Sequence, residues 1–309
     1  MLPILFYASM IFTVAGFFST EGWWMDLSSH FRVQYFFVQL VCLIFFMLGR
    51  KWSFVTLAAF FALLNAKEIY PLYTSCVFRQ LSLQPTLGKI EILLINGDVQ
   101  ENDYKNVFQY IYANPPDILA VKELNQEGLI GLSSVLNQYG YRYFVDREDG
   151  FGLGVFSNLP LEDAVIRSYG RSRVPGLVAQ FSTGMESFTL VLIHLWPPVT
   201  RELFHWRNEQ LDQIALHKDD FPKNLIMLGD FNMTSWTEYF PNFLQKMNLV
   251  DSRLGFGIQP TWPSAVATLG IPIDHCLVSQ NFRVLERRIG PHLGSDHRPV
   301  FLKLELMQE

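Results

Sequence analysis

Four short apolar runs in this chain each stop at a residue able to hold a metal ion or a phosphate. They are the segments EILLIN (Glu91 to Asn96), ILAVKE (Ile118 to Glu123), FTLVLIH (Phe188 to His194) and LIMLGD (Leu225 to Asp230). Short runs of this kind, without polar alternation, predict strands buried on both faces. Such a strand does not end on an acid or an imidazole by accident, because an unpartnered buried charge costs several kcal/mol. Four ends of this type, on strands of one sheet system, converge on one rim. That pattern suggests an active site.

The rest of the pattern from Lys89 onward alternates strand-like and helix-like runs. Strands are predicted over 90–96, 118–121, 141–145, 152–156, 177–181, 188–193, 225–228, 273–278, 283–289 and 300–306. Helical spacing covers 104–113, 126–138, 201–217 and 237–246, with Gly and Pro turns between elements. Many strands and few helices predict an α/β domain of two packed mixed sheets rather than a purely parallel sheet. There is no Gly-rich phosphate loop and no GxSxG elbow. Residues 74–88 are polar, with Ser, Gln, Pro and Gly, and read as a linker.

The first 73 residues have a different pattern. Residues 2–18 and 33–49 are almost entirely apolar, and 53–64 is a shorter apolar run that extends to Tyr73 if Lys67 and Glu68 are tolerated. A membrane span needs about 20 apolar residues, with about 17 the lower limit. The first two runs meet that limit and the third is marginal, so the segment is expected to be an N-terminal bundle of about three transmembrane helices. Core helices would need an amphipathic partner layer, which is missing. Met1-Leu2-Pro3 lacks the basic start of a cleaved signal peptide. Trp23, Trp24 and Trp52 flank the runs as interfacial residues do, and Arg50-Lys51 is the only basic pair nearby. Placing that pair in the cytoplasm puts the domain after residue 75 on the outer or periplasmic side of the plasma (inner) membrane.

Composition sharpens this division. Half of the 309 residues are hydrophobic, but residues 1–66 hold only Glu21, Asp26, Arg32, Arg50 and Lys51 as strongly charged side chains. Residues 67–309 hold the other 21 basic and 27 acidic side chains, a net of about −6. An acidic domain is a poor partner for duplex DNA, which is held by several Lys and Arg contacts. The cysteines, Cys42, Cys76 and Cys276, have no metal-binding spacing. A Cys76–Cys276 bridge is allowed but nothing supports it.

The chemistry lies at the strand ends. In Gly229-Asp230-Phe231-Asn232, an acceptor able to orient water and an amide able to donate to a phosphoryl oxygen stand two apart. In Gly294-Ser295-Asp296-His297, an acid and an imidazole are adjacent. His297 needs another carboxylate to fix its tautomer, and Asp274 is the best candidate.

Together these residues resemble the endonuclease/exonuclease/phosphatase family, the DNase I-like superfamily. The resemblance rests on Leu94-Ile95-Asn96, Lys122-Glu123, Ile193-His194, Gly229-Asp230-Phe231-Asn232, Ile273-Asp274-His275 and Ser295-Asp296-His297, in the family's order over about residues 89–306. The apolar runs in front look like a membrane-anchored bacterial branch similar to VanJ-type proteins. The resemblance implies a four-layer sandwich, two mixed sheets flanked by helices, and a Mg²⁺-dependent phosphoesterase, with Mn²⁺ as an alternative ion. It implies Glu123 as the main metal ligand, with Asn96 and Asp296 beside it. Asp230 would orient or deprotonate the attacking water. Asn232 and His194 would hold the phosphoryl group and stabilise its charge, and Asn96 would reach metal or phosphate. His297, paired with Asp274, would bind the scissile phosphate or handle its proton. Oxygen ligands of this kind suit Mg²⁺, which keeps several waters.

Many relatives carry Gln where Lys122 stands, and a Lys there would weaken cation binding or reach a substrate phosphate. His275 is expected on the opposite strand face from Asp274. Trp196-Pro197-Pro198 and Thr261-Trp262-Pro263 either line the pocket or pack over a sheet edge. Arg207 and Asn208 are expected on a solvated helix face, and Ser295 in a turn. The expected substrate is a small or lipid-linked phosphoester or pyrophosphate. A metal-dependent nuclease is the first alternative, and a non-catalytic membrane protein that keeps the fold is the second.

Overall fold

The structure, a computed structural model, describes residues 2–74, 86–100 and 103–308. Five helices come first: α1 (Leu2–Ala15), α2 (Trp23–Ser29), α3 (Arg32–Leu48), α4 (Trp52–Ile69) and α5 (Pro71–Thr74). Among the described residues, twelve strands then form two six-stranded sheets. The first holds β1 (Thr86–Asn96), β2 (Ile118–Lys122), β3 (Tyr141–Val145), β4 (Leu153–Ser157), β11 (Phe282–Ile289) and β12 (Val300–Met307), in the order β11-β12-β1-β2-β4-β3. The second holds β5 (Leu161–Ser168), β6 (Pro175–Ser182), β7 (Ser187–His194), β8 (Leu225–Asp230), β9 (Leu249–Asp251) and β10 (Asp274–Ser279), in the order β5-β6-β7-β8-β10-β9. Each sheet has one parallel pair, β1 with β2 and β7 with β8, and its other pairs are antiparallel.

Successive strand residues face opposite ways, and each buried strand serves two layers. Ile92, Leu94, Ile118, Ala120, Leu190, Leu192, Ile226, Leu228, Cys276 and Val278 fill the core between the sheets. Their neighbours Leu93, Ile95, Leu119 and Val121 pack outward beside residues of α6 (Lys105–Ala113), α7 (Gln126–Gly131) and α8 (Ser133–Leu136). Val191, Ile193 and Met227 pack outward beside α9 (Arg201–Leu216) and α10 (Tyr239–Met247). The result is the expected helix–sheet–sheet–helix sandwich.

Some local expectations are corrected. The helix expected over 126–138 is broken at Leu132; Gly131, just before the break, lies against the Tyr104 ring, where a Cβ would sit 2.1 Å from a ring carbon. β5 and β9 were not predicted. β5 is an edge strand with Glu162, Asp163 and a register shift, and β9 is only three residues long. β1 starts at Thr86, inside the segment read as linker, and pairs there with Met307. Cys42 and Cys276 are buried free thiols, and Cys76 lies outside the described residues.

The apolar runs also differ from expectation. Among the described residues, Trp52–Ile69 is the one helix long and apolar enough by itself to cross a membrane. Lys67 and Glu68 are absorbed into its last turn, which lengthens the run that looked marginal. Residues 2–18 qualify only jointly with α2, across a bend of 113°. The chain bends near Gly16, where a Cβ would sit 2.9 Å from the Ser29 Cα, so α1 and α2 meet closely. α3 is a shorter apolar helix. Inside this module Asn65 Nδ2 donates to Thr13 Oγ1 (2.9 Å) and Gln39 Oε1 (3.0 Å), while Arg32 donates to Thr13 O (2.8 Å).

The module docks on one end of the sandwich. Trp23 Nε1 donates to Pro198 O (2.6 Å), the Glu238 N–H donates to Ser19 Oγ (2.8 Å), and Trp236 Nε1 donates to Glu68 O (3.1 Å). Gln34 Nε2 donates to Leu269 O (2.9 Å) and the Gly257 N–H donates to Leu72 O (2.7 Å). These loops leave β7 and β8 and enter β10, so the helices cover the rim at which those strands end.

Candidate active site

The inward row of each central strand continues to its end. After Ile92 and Leu94 comes Asn96, and after Ile118 and Ala120 comes Lys122. His194 follows Leu190 and Leu192, and Asp230 follows Ile226 and Leu228. Asp274 precedes Cys276 and Val278 in the same row. Register aligns them, with Asn96 opposite Lys122, His194 opposite Asp230, and Asp274 opposite Asp230. The period-two alternation therefore sends five polar side chains into the gap between the sheets at one rim, at the carboxyl ends of both parallel pairs. Ligands in open α/β sheets bind at such ends.

Lys122 lies at the centre of this group and is fully buried. Its Nζ is 2.8 Å from Asp230 Oδ2, 3.0 Å from Asp274 Oδ1, 2.9 Å from His297 Nδ1 and 3.8 Å from Glu123 Oε1. Burial opposes its charge, but Asp230, Asp274 and Glu123 together hold its pKa above the usual value. Lys122 is thus an internal counter-ion to acids beside the expected metal ligand Glu123, a position from which an ammonium competes with a cation.

His297 Nδ1 is 2.7 Å from Asp274 Oδ2. It cannot donate to Asp274 and accept from Lys122 at once, and the shorter contact selects donation to Asp274. Burial and Lys122 lower the His297 pKa, Asp274 and Asp230 raise it, and the acids prevail. Burial raises the Asp274 pKa, but Lys122 and His297 hold its carboxyl well below the usual range. His297 Nε2 is left facing Asp230 at 3.4 Å.

His194 Nδ1 is 3.0 Å from Gly150 O, which only accepts, so this nitrogen carries the proton. Its Nε2 faces Asp230 (3.8 Å) and Glu123 (4.0 Å). Burial pushes its pKa down. In the neutral ring Nε2 presents a lone pair, which suits a metal or a water proton, whereas a phosphoryl oxygen needs the protonated ring.

Asp230 and Asn232 form a tight turn. The Asn232 N–H donates to Asp230 Oδ1 (2.8 Å) and its Nδ2 donates to Leu195 O (2.8 Å). Asn232 (φ 49°) and Glu123 (φ 54°) both lie in the left-handed region. Asn tolerates that conformation, whereas Glu is uncommon there. Gly229 is required on two counts: its φ of 138° lies where only glycine is at ease, and a Cβ would sit 1.8 Å from Ile193 O, on the neighbouring parallel strand.

Glu123, His194 and Asp230 form one group with ligand atoms close enough to hold a metal, and Asp230, Asp274 and His297 form another. The Lys122 ammonium already sits against the second. The first opens toward Asp98 and Asp296. Burial raises the Asp98 pKa, and repulsion from Glu123 and Asp296 adds to it, so these acids repel one another with the Lys122 ammonium 3.8 Å from Glu123 as counter-charge. A divalent cation with oxygen ligands fits that side. Asn96 Oδ1 accepts the Asp98 N–H (2.8 Å), and its Nδ2 is buried with no partner. Asp296 Oδ2 accepts from Trp262 Nε1 (3.0 Å).

Above these groups is a cleft of about 680 Å³. Glu123, His194, Asp230, Asn232, Asp296 and His297 line its polar side. Phe151, Trp196, Pro197, Pro198, Trp262, Ile271 and Ile273 line the apolar side, together with Leu27, His30 and Phe31 from the N-terminal helices. Both loop aromatics thus line the pocket. His275 does not. It points outward, as the strand alternation requires, and its Nε2 is 2.8 Å from Met233 O between Phe231 and Phe240. Ser295 accepts the His297 N–H (3.2 Å), as a turn former. The expectation for Arg207 and Asn208 is overturned: both are buried, and Arg207 pairs with Asp26. Sequence reading also missed Asp98, although it follows the first strand end directly.

The fold and the rim together define the class, and the sequence comparison agrees. A profile of the Endonuclease/Exonuclease/phosphatase family matches residues 95–297. The chain belongs to that family, whose members are phosphoester hydrolases. Among curated proteins, none matches by sequence. Among solved structures, D. rerio TDP2 complexed with single strand DNA product is similar at 16% identity and TM-score 0.60, over 70% of this chain and 99% of that one. An endonuclease/exonuclease/phosphatase from Bacteroides vulgatus is similar at 18% identity and TM-score 0.58, over 71% and 99%. One from Beutenbergia cavernae DSM 12333 is similar at 16% identity and TM-score 0.57, over 71% and 72%.

Proposed function

We propose that this chain is a membrane-anchored, divalent-metal-dependent phosphoesterase acting on a small or lipid-linked phosphoester or pyrophosphate, as the resemblance to the VanJ-type branch also suggests. One observation carries the reading: Glu123, His194, Asp230, Asp274 and His297, from distant parts of the chain, meet at one rim around a buried ammonium.

Water attacks phosphorus in line. Asp230, held by Lys122 and by the Asn232 N–H, keeps a fixed carboxylate toward the cleft to orient that water and receive its proton. His297, tied to Asp274 through Nδ1, turns Nε2 toward the phosphoryl group and donates to its oxygen when the ring is protonated, a form that Asp274 and Asp230 favour. Asn232 has a second amide hydrogen for the same group. These donors are set before substrate arrives, so charge develops against dipoles that need not reorganise. Glu123, with Asn96 and Asp296 beside it, would hold Mg²⁺ or Mn²⁺, which when bound neutralises charge on the transferred group.

The substrate class follows from the walls. No Lys or Arg lines the described cleft, so a nucleic-acid backbone finds few counter-charges, whereas an amphiphile finds Leu27, Phe31 and Trp196. The exposed apolar residues of α1, α3 and α4 support the membrane anchor. The nuclease reading draws on D. rerio TDP2, solved with a single strand DNA product. Trp196 and Trp262 are aromatic faces that bases could stack on.

The test compares hydrolysis of lipid pyrophosphates, phospholipids, and single- and double-stranded DNA by the detergent-solubilised chain with Mg²⁺. The amphiphiles are expected to be the better substrates. Asp230→Ala and His297→Ala are each expected to lower kcat by about 10³-fold or more, in the range for loss of a key catalytic group. Full activity in both variants would overturn the site.

A further inference from the structure

α2 carries Asp26, one of five strongly charged residues among the first 66, and Asp26 is fully buried. Its partner is Arg207 on α9, also fully buried, with Nη2 2.9 Å from Asp26 Oδ1. A guanidinium is a rigid fork, and the other branches of this one are occupied. Nε donates to Asn208 Oδ1 (3.0 Å) and Nη1 donates to the carbonyl of Asn232 (3.0 Å). Asp26 therefore aims Arg207, and Arg207 fixes the backbone of a residue in the catalytic turn.

A second tie runs from the same helix region. His30 Nδ1 is 3.2 Å from Thr234 Oγ1 and accepts the Thr234 N–H at 3.4 Å. His30 Nε2 lies 3.5 Å from Asp26 Oδ2. The loop after Asp230 is thus held at both Asn232 and Thr234 by groups set by the N-terminal helices. The left-handed Asn232 is a conformation that persists only while its surroundings impose it.

We propose that the N-terminal module is a working part of the catalytic apparatus, in which Asp26 and His30 are positioning residues that set the Asp230–Asn232 turn, Asp26 through Arg207. The proposal rests on the phosphoesterase reading of the cleft, and it changes what the helices are for. A tether could be exchanged for another tether. These helices complete the turn that holds the attacking water.

The experiment uses the full chain in detergent with Mg²⁺ and bis(p-nitrophenyl) phosphate, a small ester that needs no apolar wall. Asp26→Asn is expected to lower kcat by about 10- to 100-fold with KM within about threefold, the scale of a misplaced catalytic group. His30→Gln removes no buried carboxylate and is expected to lower kcat by about three- to tenfold. In an Arg207→Lys background, Asp26→Asn is expected to cost under about threefold, because the guanidinium through which Asp26 acts on the Asn232 carbonyl is gone. Asp26→Glu is expected to recover part of the loss. An inactive wild type would sink the phosphoesterase reading itself. An active wild type with unchanged kcat in Asp26→Asn and His30→Gln overturns this inference alone, as does an equal Asp26→Asn loss with and without the Arg207 guanidinium. If Asp26→Asn does not fold, His30→Gln decides.

Discussion

The two regions of this molecule are built inside out with respect to each other. In the sandwich, the space between the sheets is filled by Ile, Leu, Val and Phe, and polar side chains gather at one rim. In the N-terminal module, Thr13, Gln39 and Asn65 are fully buried and bonded to one another, while Ile4 (73%), Leu63 (69%) and Leu48 (82%) are exposed. Phe37, Val41, Ile44 and Phe60 are exposed as well. Isolated surface Leu residues mean little, but a continuous apolar exterior over three helices marks an interaction surface. The lesson is that the sandwich turns its apolar side chains inward, whereas the helices turn many of theirs outward and keep polar groups inside. Hydrogen bonds among Thr13, Gln39 and Asn65 help to join those helices.

The largest expected effect breaks this comparison from the outside. Replacing Ile11, Ile44 and Leu63 with Lys should cost about 2.5–3.5 kcal/mol per position near a span centre. Membrane flotation after a high-salt wash reads the loss. The triple variant is expected in the soluble or aggregated fraction and the wild type with the membranes. If both float equally, or if the wild type is soluble without detergent, the exterior does not face lipid.

The sandwich is tested at its rim. Lys122→Gln removes the ammonium between Asp230 and Asp274. Leaving buried charges unpaired costs about 3–5 kcal/mol. Urea unfolding in EDTA should show that loss, and Mg²⁺ should restore part of it, because the acids left behind attract a cation more strongly. A variant within about 1 kcal/mol of wild type would mean that the ammonium is not what holds these acids together.

The sequence made the rim legible and left its supports hidden, for a physical reason. Glu123, His194, Asp230 and Asp274 stand at the ends of apolar runs whose alternation already sets their direction, so local pattern is enough. Lys122 reads as a neighbour of the metal ligand, and only register across both sheets shows that it faces two acids. Arg207 and Asn208 lie on a largely polar helix, where a solvated face is the natural expectation. What buries them is Asp26, 181 residues earlier, and no periodicity connects the two. The close approaches at Gly16 and Gly131 are hidden likewise, since each involves a group distant in the chain. Ten of the twelve strands are readable, because most of them are continuous apolar runs. Edge strand β5 has a register shift and no clean alternation, and β9 is only three residues long, so neither is.

The smallest expected effect concerns a titratable group that breaks the rule of an apolar sandwich. His275 is fully buried on the outward face of β10, and burial, followed by Arg253, lowers its pKa from 6.5 to about 4. Its Nε2 donates to Met233 O, which only accepts, so the folded chain holds the ring neutral with the proton on that nitrogen. The unfolded chain takes up a proton near pH 6.5 that the folded chain refuses until about pH 4. The stabilising contribution is therefore complete above pH 6.5 and is lost as the pH falls toward 4. Of that loss, about 2 kcal/mol falls between pH 7.5 and 5. His275→Gln keeps an amide donor for Met233 but cannot titrate. Urea unfolding of both proteins at the two pH values should give the variant a shallower decline by about that amount. Parallel declines would mean that the imidazole gains a proton within the fold, and that the layer between β10 and α10 admits charge as the module interior does.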